Sequence, residues 1–187
     1  MAPGGWRAWH HRHSTWLYGP SRSTTLLSRL AGERIAIGSL PTAKALERLV
    51  AEGVTHVVNC RARVQTWISQ DLAVERALFG AARVASAPMW DLGRPQDPRL
   101  WSAAVHFAAR AVEDDPDAIV LVHCQQGRRR SAFVAYAVLR LRGHAADEAA
   151  SLVLRHRVEA ELVPAYRSSV ERWLAAGAPT VGPLRLG

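Results

Sequence analysis

Lysine, cysteine and long apolar runs are nearly missing from this chain. Lys44 is the only lysine among 24 basic residues, so the formal charge of +8 is carried almost wholly by arginine. Such a balance attracts polyanions, and it is also how a GC-rich genome writes an ordinary soluble protein. Clustering of the charge therefore says more than its total. The 2 cysteines, Cys60 and Cys124, are too few for a disulfide framework. No CxxC pair accompanies them, which argues against a structural metal site and suits a reducing cytoplasm. No apolar run approaches the roughly 20 residues that a membrane span needs, and the first residues lack the apolar centre of a secretory leader. The glycine-lysine-rich cradle GxxxxGK[ST] of ATP-binding proteins is absent. So are an aromatic-rich strand motif, a zinc finger and a helix-turn-helix, and no nucleic-acid partner is expected.

What is present suits one domain. The chain has 187 residues, 49% of them apolar, enough to bury a core. Residues 1–24 contain no carboxylate and are rich in Trp, His, Arg, Gly and Pro, so they read as an arm ahead of a domain at 25–176 and a loose tail at 177–187. Trp6, Trp9, His13 and Trp16 fall near helical spacing before Gly19-Pro20 breaks the pattern. Three roles stay open for the arm: packed on the domain, anchored at a membrane surface, or disordered. His10, His11 and His13 have no acidic or cysteine companion, so they read as exposed histidines rather than metal ligands.

Within the domain, strand and helix patterns alternate. ERIAIGS, VTHVVNC, ARVASAP and AIVLVHC read as strands. Helices are expected over PTAKALERLVAEG, residues 66–79, residues 96–115 with Asp97 as N-cap and Pro98 at the first position, SAFVAYAVLRLRG, and within 145–157 and 163–176. This pattern predicts an α/β fold with a mostly parallel central sheet flanked by helices. AIVLVHC is apolar without interruption, as a strand in the middle of such a sheet would be.

The segment after that strand, HCQQGRRRS, carries the chemistry. Gln125, Gln126, Gly127, Arg128 and Arg129 form a loop at the amino end of the helix that starts near Ser131. Helix amino ends present unpaired N–H groups and about half a positive charge, so they hold anions. Gly127 permits the backbone angles that turn successive N–H groups inward. Cys124 lies at the rim of that field, where a thiol of pKa near 8.5 is lowered toward the thiolate. The planar fork of Arg130 can hold two oxygens of a tetrahedral anion. Nucleophile, cradle and clamp together suit attack of sulfur on a phosphate ester. The departing oxygen then needs a proton, for which Asp91 and Asp97 in PMWDLGRPQDP are the candidates. Asp97 already serves as a cap. Asp91 follows Met89 and Trp90, whose apolar bulk would favour a protonated carboxyl, and it is the preferred acid. Ser131 is placed to hydrogen-bond the sulfur as it leaves.

HCQQGRRRS resembles the HCxxGxxRS signature of cysteine-dependent phosphatases, at Cys124, Gly127, Arg130 and Ser131. Over about residues 30–176 the chain is similar to the dual-specificity phosphatase family, with IAIGSLP, GVTHVVNC and DAIVLVHC standing where its strands would be. The resemblance implies a phosphocysteine intermediate, no metal, no cofactor, and Asp91 as general acid. It implies phosphotyrosine, phosphoserine or phosphothreonine substrates, or a non-protein phosphate ester. IGSLP, the Trp-rich arm and the basic loop also resemble the branch acting on phosphatidylglycerophosphate or inositol lipids, although NCRAR stands where that branch has an acidic pair. An anionic lipid is thus a second candidate partner, with a peripheral membrane location. A catalytically weak phosphate-binding module is the third reading. Arg128 and Arg129 are expected either to face solvent or to bind further phosphates, and Arg61 and Arg63 to line the pocket mouth. His123 is expected to steady the loop through a backbone hydrogen bond. Cys60 is read as a small buried hydrophobe or, alternatively, as a disulfide partner protecting Cys124 from over-oxidation. Oligomeric state is not encoded in any of these features.

Overall fold

A computed structural model describes residues 27–181; the expectations for the arm and for residues 182–187 of the tail lie outside the described residues. The strands are β1 (Leu27–Leu30), β2 (Ile35–Gly38), β3 (His56–Asn59), β4 (Val84–Ser86) and β5 (Val120–His123). The helices are α1 (Ala43–Ala51), α2 (Arg63–Ser69), α3 (Asp71–Phe79), α4 (Ser102–Asp114), α5 (Arg130–Leu141), α6 (Ala146–His156) and α7 (Pro164–Ala175). Among the described residues no helix is long and apolar enough to cross a membrane.

The sheet order is β1-β2-β5-β3-β4, with β1 antiparallel to β2 and every other pairing parallel. The mostly parallel sheet expected from the sequence is present, and β5 lies at its centre. The edge strand β1 was not expected. Its LSRL has only two apolar residues and owes its conformation to pairing with β2 across a turn in which Gly32 and Arg34 adopt positive φ.

Alternation along β5 divides the core. Val120 and Val122 face α4, α5 and α7, whereas Leu121 joins Ala36, Leu46, Leu49, Val57 and Phe79 on the side of α1 and α3. Helices thus cover both faces, as a parallel sheet requires. On the larger side Trp101 is 1% exposed and meets Phe133 and Trp173 edge-on, with ring centroids 5.0 and 4.9 Å away. α5 is buried from Arg130 through Leu139.

Two expected helices differ in form. Residues 66–79 do not make one helix: Gln70 takes a left-handed conformation at φ 56°, ending α2 and starting α3 in a new direction. Residues 96–115 begin with a short 3-10 turn over Pro98–Leu100, capped by the Asp97 carboxylate on the Arg99 N–H, and α4 starts only at Ser102. Registry places Gly38, Asn59 and His123 level with one another, so three strands end together. The crevice beyond the carboxyl ends of such strands is where open α/β sheets bind ligands.

Trp101→Ala should cost about 3–5 kcal/mol, because it empties an aromatic position that its neighbours cannot close. Denaturant unfolding would show this as a lowered midpoint. A loss below about 1 kcal/mol would mean that this cluster does not hold the helical layer to the sheet.

Candidate active site

β5 delivers Cys124 to the carboxyl end of the sheet, where its N–H donates to the Gly38 carbonyl at 3.4 Å. The chain then closes a tight loop before α5. Gly127 stands at φ +68°, and a Cβ there would meet the Gly38 carbonyl at 2.7 Å and the Arg157 guanidinium at 2.6 Å. Both the angle and the space therefore demand glycine. The return is that the Gly127 N–H points inward and donates to Cys124 Sγ at 3.3 Å.

The loop is braced from behind by the connection between α6 and α7. Buried Arg157 donates from Nε to the Gly127 carbonyl at 3.1 Å, and the Glu161 N–H donates to the Arg128 carbonyl at 3.0 Å. These groups lie about thirty positions along the chain from their partners, so no local pattern in the sequence marks Arg157 as part of the site.

Arg130 opens α5 and turns its side chain back into the protein, 4% exposed. Its Nη1 donates to Gln65 Oε1 at 2.9 Å, to the Met89 carbonyl at 3.1 Å and to the Cys60 carbonyl at 3.4 Å. Three segments thus fix one arm of the fork. Among the described residues Arg130 Nε is buried with no acceptor, an arrangement suited to an incoming anion. Gln65 has no signal of its own in the sequence, since its oxygen also accepts from the Ala62 N–H in the ordinary manner of a helix start.

Burial pushes the Cys124 thiol up, but the Arg130 charge, the Ser131 hydroxyl and the backbone N–H groups of Ser131 and Gln126 outweigh it and bring its pKa down to about 7. Ser131 Oγ lies 3.4 Å from the sulfur. Cys60 is also a buried free thiol, and burial followed by the neighbouring Cys124 raises it well above the ordinary value. The two cysteines are therefore electrostatically unequal, one prepared to ionise and the other held neutral.

Beneath the loop lies a polar layer that the sequence does not announce. His123 Nε2 sits 2.7 Å from Glu75 Oε1, with both side chains fully buried. Burial disfavours the imidazolium, but Glu75 and then Asp71 overcome it and raise the His123 pKa. Asn59 Nδ2 donates to Glu75 and, at 2.8 Å, to Asp71. Arg61 pairs with Asp71 at 2.8 Å. His123 thus meets a carboxylate and not the expected backbone group. Arg61, expected at the pocket mouth, is an internal charge at 2% exposure. A faint signal for this layer exists: Asp71 and Glu75 are four apart on one helical face.

Asp91 stands in the loop after β4, where Tyr166 Oη donates to its Oδ1 at 2.9 Å and Arg129 approaches to 3.9 Å. Tyr166 also accepts from the Gly93 N–H at 3.2 Å, so α7 pins this loop. Trp90 turns half out to solvent at 49% exposure, and the groups that touch the carboxyl are polar and not the expected apolar bulk. Arg129 makes a two-pronged bond to Glu161 at 2.8 Å, while Arg128 lies 3.8 Å from the same carboxylate. Neither arginine is simply solvated.

A pocket of about 330 Å³ gathers these parts, with Cys124 and Arg130 among its lining residues, Gln125, Gln126, Arg128 and Arg129 around them, and Gln65, Trp90, Asp91 and Leu92 in its wall. Ser131 and Gly127 stand behind the sulfur, and His123 below it.

Neither protein-family models nor curated proteins match the chain. Solved structures do. Human DUSP28 is 27% identical over 86% of this chain and 100% of its own, with a TM-score of 0.67. PTPMT1 in complex with PI(5)P is 19% identical over 83% and 100%, with a TM-score of 0.69. The human tyrosine phosphatase-like serine/threonine/tyrosine-interacting protein is 18% identical over 82% and 98%, with a TM-score of 0.64. The fold is that of the dual-specificity phosphatases.

Alkylation of Cys124 by iodoacetate should rise with pH around a midpoint of about 7, because the lowered pKa makes thiolate above that value and loses it below. Ser131→Ala removes one stabilising hydrogen bond and should move the midpoint upward. A midpoint near the ordinary thiol value of about 8.5, or one indifferent to Ser131, would refute the electrostatic description of the sulfur.

Proposed function

We propose that the chain hydrolyses phosphate monoesters through a phosphocysteine intermediate formed on Cys124. The observation that carries this reading is the Cys124 sulfur, met by the Gly127 N–H at 3.3 Å and by Ser131 Oγ at 3.4 Å, in a pocket that also contains Arg130 and Asp91. The Cys124 thiolate attacks phosphorus in line with the ester oxygen; the S–P bond forms as the P–O bond breaks. Loop N–H groups and Arg130 hold the three non-bridging oxygens as charge shifts among them, which is electrostatic stabilisation by groups already in place. The carboxyl of Asp91, in its protonated form, passes its proton to the leaving oxygen. In the second half the Asp91 carboxylate takes a proton from water, whose oxygen attacks phosphorus. The S–P electron pair returns to sulfur, and the Ser131 hydroxyl steadies the thiolate by hydrogen bonding. The reaction needs no metal, since Arg130 and the loop supply the positive field.

Tyr166 orients Asp91 through its hydroxyl, and Arg129 adds a charge beside it. Glu161 tempers the arginine pair, so the cradle is built for one phosphate more than for a polyphosphate. Phosphotyrosine and phosphoserine or phosphothreonine esters are accordingly within its reach, and the two thiols suit the reducing cytoplasm. The likeness to a phosphatase-like interacting protein keeps a phosphate-binding module without turnover as the competing reading.

Hydrolysis of an aryl phosphate in the presence of EDTA separates these readings: turnover supports the enzyme, and vanadate binding without turnover overturns it. Asp91→Ala should slow alkyl phosphates by about 10²–10⁴-fold while affecting p-nitrophenyl phosphate far less, since a good leaving group needs little protonation. Equal losses on both would remove Asp91 from the role of acid.

A further inference from the structure

Glu161 belongs to the connection between α6 and α7, about thirty positions along the chain from the loop that follows β5. Its N–H donates to the Arg128 carbonyl at 3.0 Å, which ties its backbone to that loop. Its side chain then turns to Arg129: Nε donates to Oε2 and Nη2 to Oε1, each at 2.8 Å. Two parallel bonds of this kind fix the plane of a guanidinium as well as its position. The remaining nitrogen, Nη1, is the one that approaches Asp91, and it stops 3.9 Å from Oδ1, beyond hydrogen-bond reach.

That gap matters because an acid must carry a proton. Asp91 is faced by the Tyr166 hydroxyl of α7, by Arg129 of the loop, and across the pocket by the Cys124 thiol and the buried Arg130. Arg94 in its own loop is exposed. Of these cations Arg129 is the one within ion-pair distance. A guanidinium bonded directly to a carboxyl holds it ionised, so an unrestrained Arg129 would work against the acid. Glu161 opposes this twice, by occupying the fork of Arg129 and by offsetting its charge. The bonds from Arg129, then its charge and that of Arg128, outweigh partial burial and lower the Glu161 carboxyl from its ordinary value, so it stays ionised. The pair adds little to stability, because Arg129 is 38% and Glu161 43% exposed and water screens both.

Resting on the phosphomonoesterase reading of the pocket, we propose that Glu161 is a positioning residue for the acid step: its carboxylate holds Arg129 off Asp91, which leaves Asp91 free to carry the proton given to the departing oxygen. The acid of the site is thus set by a second carboxylate that never touches the ester.

Glu161→Gln keeps the side chain's shape and removes its charge. Arg129 should then close on Asp91, and the basic limb of the kcat/KM profile on an alkyl phosphate should move about one unit toward lower pH. At neutral pH a shift of that size removes about nine-tenths of the protonated acid, so kcat on the alkyl ester should fall about tenfold. Turnover of p-nitrophenyl phosphate should fall far less, and KM should not rise, since the cradle becomes more positive. In protein already carrying Arg129→Gln, the further change Glu161→Gln should produce neither the shift nor the selective loss. ¹³C NMR should show the Asp91 carboxyl titrating at lower pH in Glu161→Gln than in wild type, with no such difference between Arg129→Gln and the double variant. Equal losses on both esters with an unmoved limb would make Glu161 a brace for the loop and overturn the proposal. So would an effect that persists in the Arg129→Gln background, which would mean that Glu161 acts on Asp91 without the arginine. If wild type turns over neither ester, the phosphatase reading falls instead, and the NMR titration alone decides whether Glu161 holds Arg129 off Asp91.

Discussion

Everything in this site depends on the attraction between the Arg130 guanidinium and the Cys124 sulfur. A buried thiol resists ionisation, and burial here is nearly complete, at 3% exposure. Arg130 reverses that resistance because it is itself immobilised. Gln65, Met89 and Cys60 hold one of its nitrogens from three directions, so the charge cannot swing out to water. The field at the sulfur is therefore present before any substrate arrives. That is the condition under which electrostatics lowers a barrier without reorganisation.

The demands on the surrounding fold follow from holding that pair. Three strands must end level so that the loop can leave β5 and touch Gly38 of β2, and only glycine at position 127 lets the loop pass between Gly38 and Arg157. Below, the Glu75–His123 contact and the Asn59–Asp71–Arg61 bonds lock α3 to the ends of β3 and β5. A buried polar layer of this kind is tolerable because each charge in it faces an opposite one, Arg61 against Asp71 and His123 against Glu75. Above, α7 holds the Asp91 loop through Tyr166 and Ser169. Cys124 and Asp91 thus hang from different elements whose separation is set by the sheet and its helices.

Much of this was legible in the residues, and the illegible part has a physical pattern. The apolar run into Cys124 marks a central strand, and the glycine that follows marks a tight loop ahead of a helix, because both are features of a few adjacent residues. Position 70 was illegible because nothing in a glutamine announces left-handed backbone; the packing of α2 and α3 imposes it. β1 was illegible because LSRL becomes a strand only beside β2. Arg157, Gln65 and Tyr166 were illegible as site residues because each acts across a long separation in sequence. Arg61 illustrates the opposite error: a charge beside a strand end suggests the pocket mouth, yet Asp71 draws it inside. Of the three arginines in the loop, Arg130 was identifiable by its place in the motif. The others acquire meaning only from Glu161 and Asp91, which the fold brings to them.

The central claim is that sulfur, and no other atom, takes the phosphoryl group. It is tested most directly by quenching the wild-type protein in neutral SDS during turnover of a ³²P-labelled aryl phosphate and mapping the label. Radioactivity that resists alkali but is lost at mildly acidic pH, on the peptide containing Cys124 and absent from the Cys124→Ser protein, is the predicted result. Turnover with no protein-bound label, or a label on any other residue, would contradict the account.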